Sequence, residues 1–142
     1  MGKRQLRQEE IRRIVREERI RTQHDLVQRL TKFGYKCTQA TISRDVTEMG
    51  LKKLSEGVYV LGEDLHLQRM IAELVLRVVH TNNLVLVKTT PGTAQGVAAA
   101  LDAADLEDIL GSIAGDDTIL AITADEGAAS RLQDHIDKFR GV

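Results

Sequence analysis

Tryptophan is missing from this chain, and among its 142 residues only two tyrosines and two phenylalanines supply aromatic rings. So few rings argue against a protein that grips single-stranded nucleic acid by stacking bases on side chains. Cysteine occurs once, as Cys37. One thiol cannot form an internal disulfide, and its use fits a reducing compartment, so a cytoplasmic location is expected. A redox switch at Cys37 would need an acidic thiol, and a small buried residue is the plainer reading. No apolar run approaches the length of a membrane span, and Met1-Gly2-Lys3-Arg4-Gln5 leads into no apolar signal segment. His24, His66, His80 and His135 lack metal-ligand spacing. A Ser-His-Asp order, a glycine-rich phosphate loop and a glycosidase-like carboxylate pair are also absent.

What is present is unevenly distributed. The formal net charge is −1. Residues 1–62 nevertheless carry 14 Lys/Arg against 8 Asp/Glu, a balance of +6, and residues 63–142 carry 6 against 13, a balance of −7. Two modules with different partners would explain the split: a polyanion for the first, something cationic for the second. Two solvated surfaces of opposite sign would explain it equally well.

The first module is organised around Thr38-Gln39-Ala40-Thr41-Ile42-Ser43-Arg44-Asp45-Val46-Thr47-Glu48-Met49-Gly50. This stretch predicts one short helix. Thr38 can cap its N-terminus and Gly50 can end it. Ile42, Val46 and Met49 share a face that must meet a core. Ala40, Ser43, Arg44 and Thr47 fall on the other side, a small and polar surface able to approach base edges and phosphates. The competing reading pairs Arg44 with Asp45 or Glu48. So short a helix needs support. Residues 3–18 predict a basic amphipathic helix burying Leu6, Ile11, Ile14 and Val15. Thr22 caps a second helix carrying Leu26, Val27 and Leu30, and Phe33-Gly34-Tyr35-Lys36 turns the chain. Leu51–Leu54 and Val58–Leu61 about Ser55-Glu56-Gly57 read as a hairpin, hence a wing behind a helix-turn-helix. Lys52 and Lys53 on that wing could reach phosphate. Residues 1–62 are therefore expected to form a winged helix-turn-helix DNA-binding domain.

Gly62-Glu63-Asp64 coincides with the charge switch, and residues 63–73 predict a linker helix, with Leu65, Met70, Ile71, Leu74 and Val75 as its apolar positions. From 74 to 142 the pattern is strand 76–80, strand 84–89, helix 94–104, strand 109–114, strand 118–123 and helix 126–139, with Ala129, Leu132, Ile136 and Phe139 inward. That order, ββαββα, defines a two-layer α+β domain. Its small core, the apolar strand 84–87 and an alanine-rich helix suggest that subunit interfaces complete the burial.

Within the acidic half, Gln95 and Asp102 lie two turns apart on one helix face, with Ala98 and Ala99 between them. The turn Gly115-Asp116-Asp117-Thr118 sets two carboxylates side by side. They can be ordinary turn residues, a receptor for a guanidinium through paired charge-assisted bonds, or a poor hard-metal site.

Three segments together resemble the bacterial arginine repressors: Thr38–Asp45, Pro91-Gly92-Thr93-Ala94-Gln95, and Gly111-Ser112-Ile113-Ala114-Gly115-Asp116-Asp117-Thr118-Ile119. The resemblance spans nearly the whole chain. It implies double-stranded operator DNA and L-arginine as partners, the latter as corepressor with no other cofactor, and trimers that pair into hexamers. By position it implies that Ser43 and Arg44, with Gln39 and Thr41 beside them, meet DNA, and Thr47 on the same helix face and Lys52 and Lys53 on the wing join them as candidates by their placement. It likewise implies that Gln95, Asp102, Ser112, Ala114, Asp116 and Asp117 surround arginine, Asp116 and Asp117 taking the guanidinium and Asp102 with Gln95 the amino-acid end. Repression of arginine biosynthesis genes would follow, with activation of arginine catabolism a further expectation. Two rival readings are an architectural DNA-binding oligomer without ligand response, and an arginine-handling enzyme using the acidic turn.

Overall fold

The computed structural model describes residues 2–141. The chain divides into two compact units, Met1–Gly62 and Glu63–Val142. In the first, helices α1 (Lys3–Glu17), α2 (Gln23–Lys32) and α3 (Gln39–Glu48) precede a hairpin of β1 (Leu51–Lys53) and β2 (Tyr59–Leu61). The strands pair antiparallel, Leu51 with Leu61 and Lys53 with Tyr59.

The caps act as their residue types require. The Thr22 hydroxyl accepts from the Asp25 N–H at 3.0 Å, and that of Thr38 from the Thr41 N–H at 3.2 Å. Gly50 ends α3 at φ +66°, a conformation that costs side chains with a Cβ about 1 kcal/mol or more. Ile11, Ile14, Leu26, Leu30, Ile42 and Leu61 are fully buried in one cluster, each contributing about 1.5–3 kcal/mol. The wing is tied to this core by the Tyr59 N–H on the Ile20 carbonyl at 2.8 Å and by Arg21 Nη1 on the Glu56 carbonyl at 3.1 Å.

Leu6 departs from expectation. It is 42% exposed, because the first turns of α1 meet α3 through Arg4, Arg7 and Gln8 rather than through an apolar stripe.

In the second unit, α4 (Gly62–Leu74, its first residue belonging to unit 1) runs directly into β3 (Val75–Thr81), so Val75 opens a strand instead of closing a helix. Leu67 and Ile71 sink the helix into the unit's core. Then follow β4 (Leu84–Thr89), α5 (Ala94–Ala104), β5 (Gly111–Ala114), β6 (Thr118–Ile122) and α6 (Glu126–Arg140). The sheet order is β3-β4-β6-β5 with every pair antiparallel. The α+β class and the ββαββα order are those expected. The third strand is shorter than 109–114, although the Leu110 N–H still donates to the Ile122 carbonyl at 2.8 Å.

Helix α5 covers β5 and β6, and α6 covers β3 and β4. Period-two alternation then separates the faces. Val78, Val87 and Ile119 stand in register under the helices and are buried. On the opposite face, Val79, Leu86, Leu120 and Ile113 form a second row across all four strands. Its ends are open: Val79 is 40% and Ile113 70% exposed. The alanines of α5 mostly serve packing inside the unit, since Ala94, Ala98, Ala100 and Ala104 are buried.

Candidate functional site

Two surfaces collect the residues singled out by sequence. The first is the outer side of α3. Gln39, Ser43, Arg44 and Thr47 are exposed there. Gln39 Nε2 donates to Gln23 Oε1 at 3.0 Å, which ties the start of α3 to the start of α2. The Thr47 hydroxyl donates back to the Ser43 carbonyl at 3.2 Å. Thr41 is only half exposed, and its hydroxyl lies 3.0 Å from that of Thr38, so it belongs to the cap as much as to the outer face. Lys52 and Lys53 are exposed on β1, with the Lys53 ammonium 5.4 Å from the centre of the Tyr59 ring.

Sequence reasoning missed Asp45. It is 1% exposed, more buried than Val46 or Met49. Arg7 grips it through both oxygens, Nε to Oδ2 at 2.5 Å and Nη2 to Oδ1 at 3.0 Å, and Gln8 Nε2 adds a bond to Oδ1 at 2.9 Å. Burial alone would raise its pKa. The bonds from Arg7 and Gln8 and the charges of Arg7 and Arg4 outweigh burial and hold the carboxyl below the usual range. Arg4 and Gln8 take Glu48. The suspected pairs of Arg44 with Asp45 or Glu48 are therefore not made, and no hydrogen bond or ion pair engages Arg44 among the described residues. A polar i, i+3 pair on α3 facing a basic α1 is the signal that could have revealed the clamp. Cys37 is half buried and burial raises its thiol pKa, the reverse of what a redox switch requires.

The second surface is the turn between β5 and β6. Asp116 and Asp117 are its two central residues, closed by the Gly115 N–H on the Thr118 carbonyl at 2.9 Å. Backbone bonds stitch this turn to the end of β4 and the start of α5. The Asp117 carbonyl accepts from the Thr89 N–H at 2.8 Å, and the Asp116 carbonyl from the Ala94 N–H at 3.1 Å. Asp116 Oδ2 also accepts from the Gly92 N–H at 3.2 Å. That N–H is presented by a tight turn in which the chain's only proline, Pro91, precedes Gly92 at φ +78°. Gln95, exposed in the first turn of α5, is thereby brought to the same end of the unit as both aspartates.

Asp102, exposed two turns further along α5, makes no side-chain bond to the turn among the described residues. Ser112 and Ala114 lie on the helix-covered side of β5, in register with buried Ala121 and Ile119. Ala114 adjoins the turn, whereas Ser112 stands two residues back.

Lys88 was not anticipated, although it is the one charge in the apolar run of β4. Its ammonium is 2.8 Å from the Thr118 hydroxyl and 3.4 Å from Asp117 Oδ1. The Thr118 hydroxyl and then the Lys88 charge lower the Asp117 pKa, so this carboxylate is anionic throughout the neutral range. Among the described residues no three His, Cys, Asp or Glu side chains cluster to hold a metal ion.

A basic unit with helix, turn, exposed polar helix and hairpin, joined in sequence to an antiparallel sheet domain with an acidic turn, defines a two-domain DNA-binding transcription regulator. The model of the arginine repressor DNA-binding domain matches residues 2–67, and that of the arginine repressor C-terminal domain residues 71–138. An arginine repressor of Thermus thermophilus is 42% identical over 153 aligned positions, covering 100% of this chain and 92% of that protein. Those of Staphylococcus saprophyticus and Carboxydothermus hydrogenoformans are each 39% identical, over 96% and 94% of this chain and 97% and 96% of theirs. The chain belongs to the arginine repressor family, whose members regulate transcription and are not enzymes. No helix among the described residues is long and apolar enough to cross a membrane.

Proposed function

We propose that this protein represses arginine biosynthesis genes by binding palindromic operators as a hexamer, with L-arginine as corepressor. The observation that carries the ligand reading is the Asp116-Asp117 turn, whose backbone is pinned to the end of β4 and the start of α5 while the Asp116 side chain is exposed and that of Asp117 half open to solvent. Asp116 and Asp117 receive the guanidinium through paired, charge-assisted bonds. Gln95 and Asp102 hold the amino-acid end, and Ser112 and Ala114 line the sheet side.

The row Val79-Leu86-Leu120-Ile113 supports self-association, because the helices cover only the other face. Aspartates from facing trimers repel when empty. A cation between them cancels that charge, so arginine binds the assembled form best and shifts the population toward it. The assembly then presents its winged domains in pairs to half-sites about one helical turn apart. On each domain Ser43 and Arg44 read base edges, and Gln39, Thr41, Thr47, Lys52 and Lys53 set the register of the domain through contacts to the backbone of the duplex.

The test has two parts. A calorimetric titration across the free amino acids should give heat with L-arginine, and a gel-shift titration should show tighter operator binding when arginine is present. Equal operator affinity with and without arginine would overturn the corepressor reading and leave an architectural DNA-binding oligomer.

A further inference from the structure

Arg44 is a cation without a partner among the described residues, on a helix that carries two anions, and one of them, Glu48, stands four residues on, where a side chain can pair with it. Glu48 is instead turned the other way. Arg4 Nη2 binds Glu48 Oε2, and Gln8 Nε2 reaches the same oxygen at 2.9 Å. That Gln8 amide nitrogen also donates to Asp45 Oδ1 at 2.9 Å, whose carboxylate Arg7 already holds at both oxygens. One face of α1 thus collects both carboxylates of α3.

We infer that Arg4 and Gln8 are positioning residues for DNA binding: by holding Glu48 against α1 they keep Arg44 unpaired for the duplex. The inference rests on the reading that the outer face of α3 meets DNA, and it adds to that reading the residues that prepare the face. Arg7 and Asp45 form the buried anchor of the clamp, with side chains 16% and 2% exposed. Arg4 and Glu48 form its open rim, at 64% and 37%. An exposed pair of this kind adds little to folding stability, so its removal leaves the fold in place and its effect on DNA can be read alone.

If Glu48 is released, it can swing to Arg44. Two consequences follow: one fewer cation displaces counterions from the DNA, and a carboxylate is left near the phosphates. The experiment uses the full chain with saturating L-arginine and a duplex selected by the parent protein from a random pool, binding being followed by fluorescence anisotropy over a range of salt. Arg4→Gln combined with Gln8→Met should weaken binding roughly five- to thirty-fold and reduce the slope of log affinity against log salt by about one. Introduced into a Glu48→Gln background, Arg4→Gln should be nearly silent, and the two changes together should lose no more than Gln8→Met alone does there, which measures its bond to Asp45. A structural role alone would not produce that rescue or move the salt slope. Loss of equal size in both backgrounds would mean that Arg4 touches phosphate itself and would overturn the inference, as would no loss in either. Arg44→Ala in parallel separates the two levels. If it leaves affinity unchanged, the reading of α3 falls; if it weakens binding while the Glu48 rescue fails, only the role given to Arg4 and Gln8 falls.

Discussion

The two candidate surfaces treat their carboxylates in opposite ways, although Asp108 and Asp137 elsewhere in the second unit are paired with Arg131 and Arg140. In the first, Asp45 and Glu48 are bound by arginines of a neighbouring helix, and the cation Arg44 is left without a partner among the described residues. In the second, Asp116 and Asp102 have no cationic partner among the described residues, and Asp117 has Lys88 alone at 3.4 Å. Total charge says little about what each surface can receive. The informative quantity is which charge the fold leaves unmatched or under-matched: a guanidinium on α3, suited to phosphate and guanine edges, and on the β5–β6 turn two carboxylates against the single cation Lys88, suited to receive another.

Removing a carboxylate of the acidic turn gives the largest expected effect. Asp117→Asn should abolish the calorimetric heat with L-arginine and the arginine-induced gain in operator affinity, while circular dichroism stays that of the parent. The fold is expected to survive because the turn is stitched by the backbone carbonyls of Asp116 and Asp117, which the substitution leaves alone. Next comes the apolar row. Ile113→Lys puts a charge on a side chain that is 70% exposed. Sedimentation should show fewer subunits per particle, with the stability of the single chain changed by no more than about 0.5 kcal/mol. Retained assembly would place the subunit contact elsewhere. In the basic unit, Arg44→Ala should cost about 1–3 kcal/mol of operator affinity if it makes a base contact, measured by anisotropy at fixed salt. Similar losses on unrelated duplexes would make it a phosphate contact instead.

Much of this was legible in the chain because local rules were in charge. Thr22, Thr38, Gly34 and Gly50 mark helix ends through their own backbone and hydroxyl chemistry, and the strands alternate or run apolar as buried strands do. The acidic turn was also visible as Gly-Asp-Asp-Thr between two such strands. What escaped was set by contacts distant in sequence. Asp45 lies 38 residues from Arg7, and no periodicity distinguishes a buried, paired aspartate from a solvated one. Helical spacing alone predicts Leu6 inward, but the neighbouring surface of α3 is polar at that level. Lys88 reads as a strand-end charge until β6 is laid beside β4 and Thr118 falls opposite it. The stitching of the turn to α5 was likewise invisible, since it runs through backbone groups that every residue possesses.

The smallest effect is silent at neutral pH and tests the buried side of the same contrast. Asp45 has a folded pKa below its ordinary value, so its contribution to stability is complete above the unfolded carboxylate range near pH 4 and is lost as pH falls through the folded value. The first unit should therefore lose stability on acidification below about pH 4. Its unfolding can be followed separately, because the chain's only tyrosines, Tyr35 and Tyr59, both pack against the first core and there is no tryptophan to mask them. Urea titrations read by tyrosine fluorescence between pH 3 and 7 should give a falling acid limb in the parent. In Asp45→Asn the plateau should be lower, since Arg7 loses its partner, and the limb flatter, since the titrating group is gone. An unchanged limb would assign the acid sensitivity of this unit to Glu48 or another exposed carboxylate, and would reduce the Arg7–Asp45 anchor to a contact without electrostatic consequence.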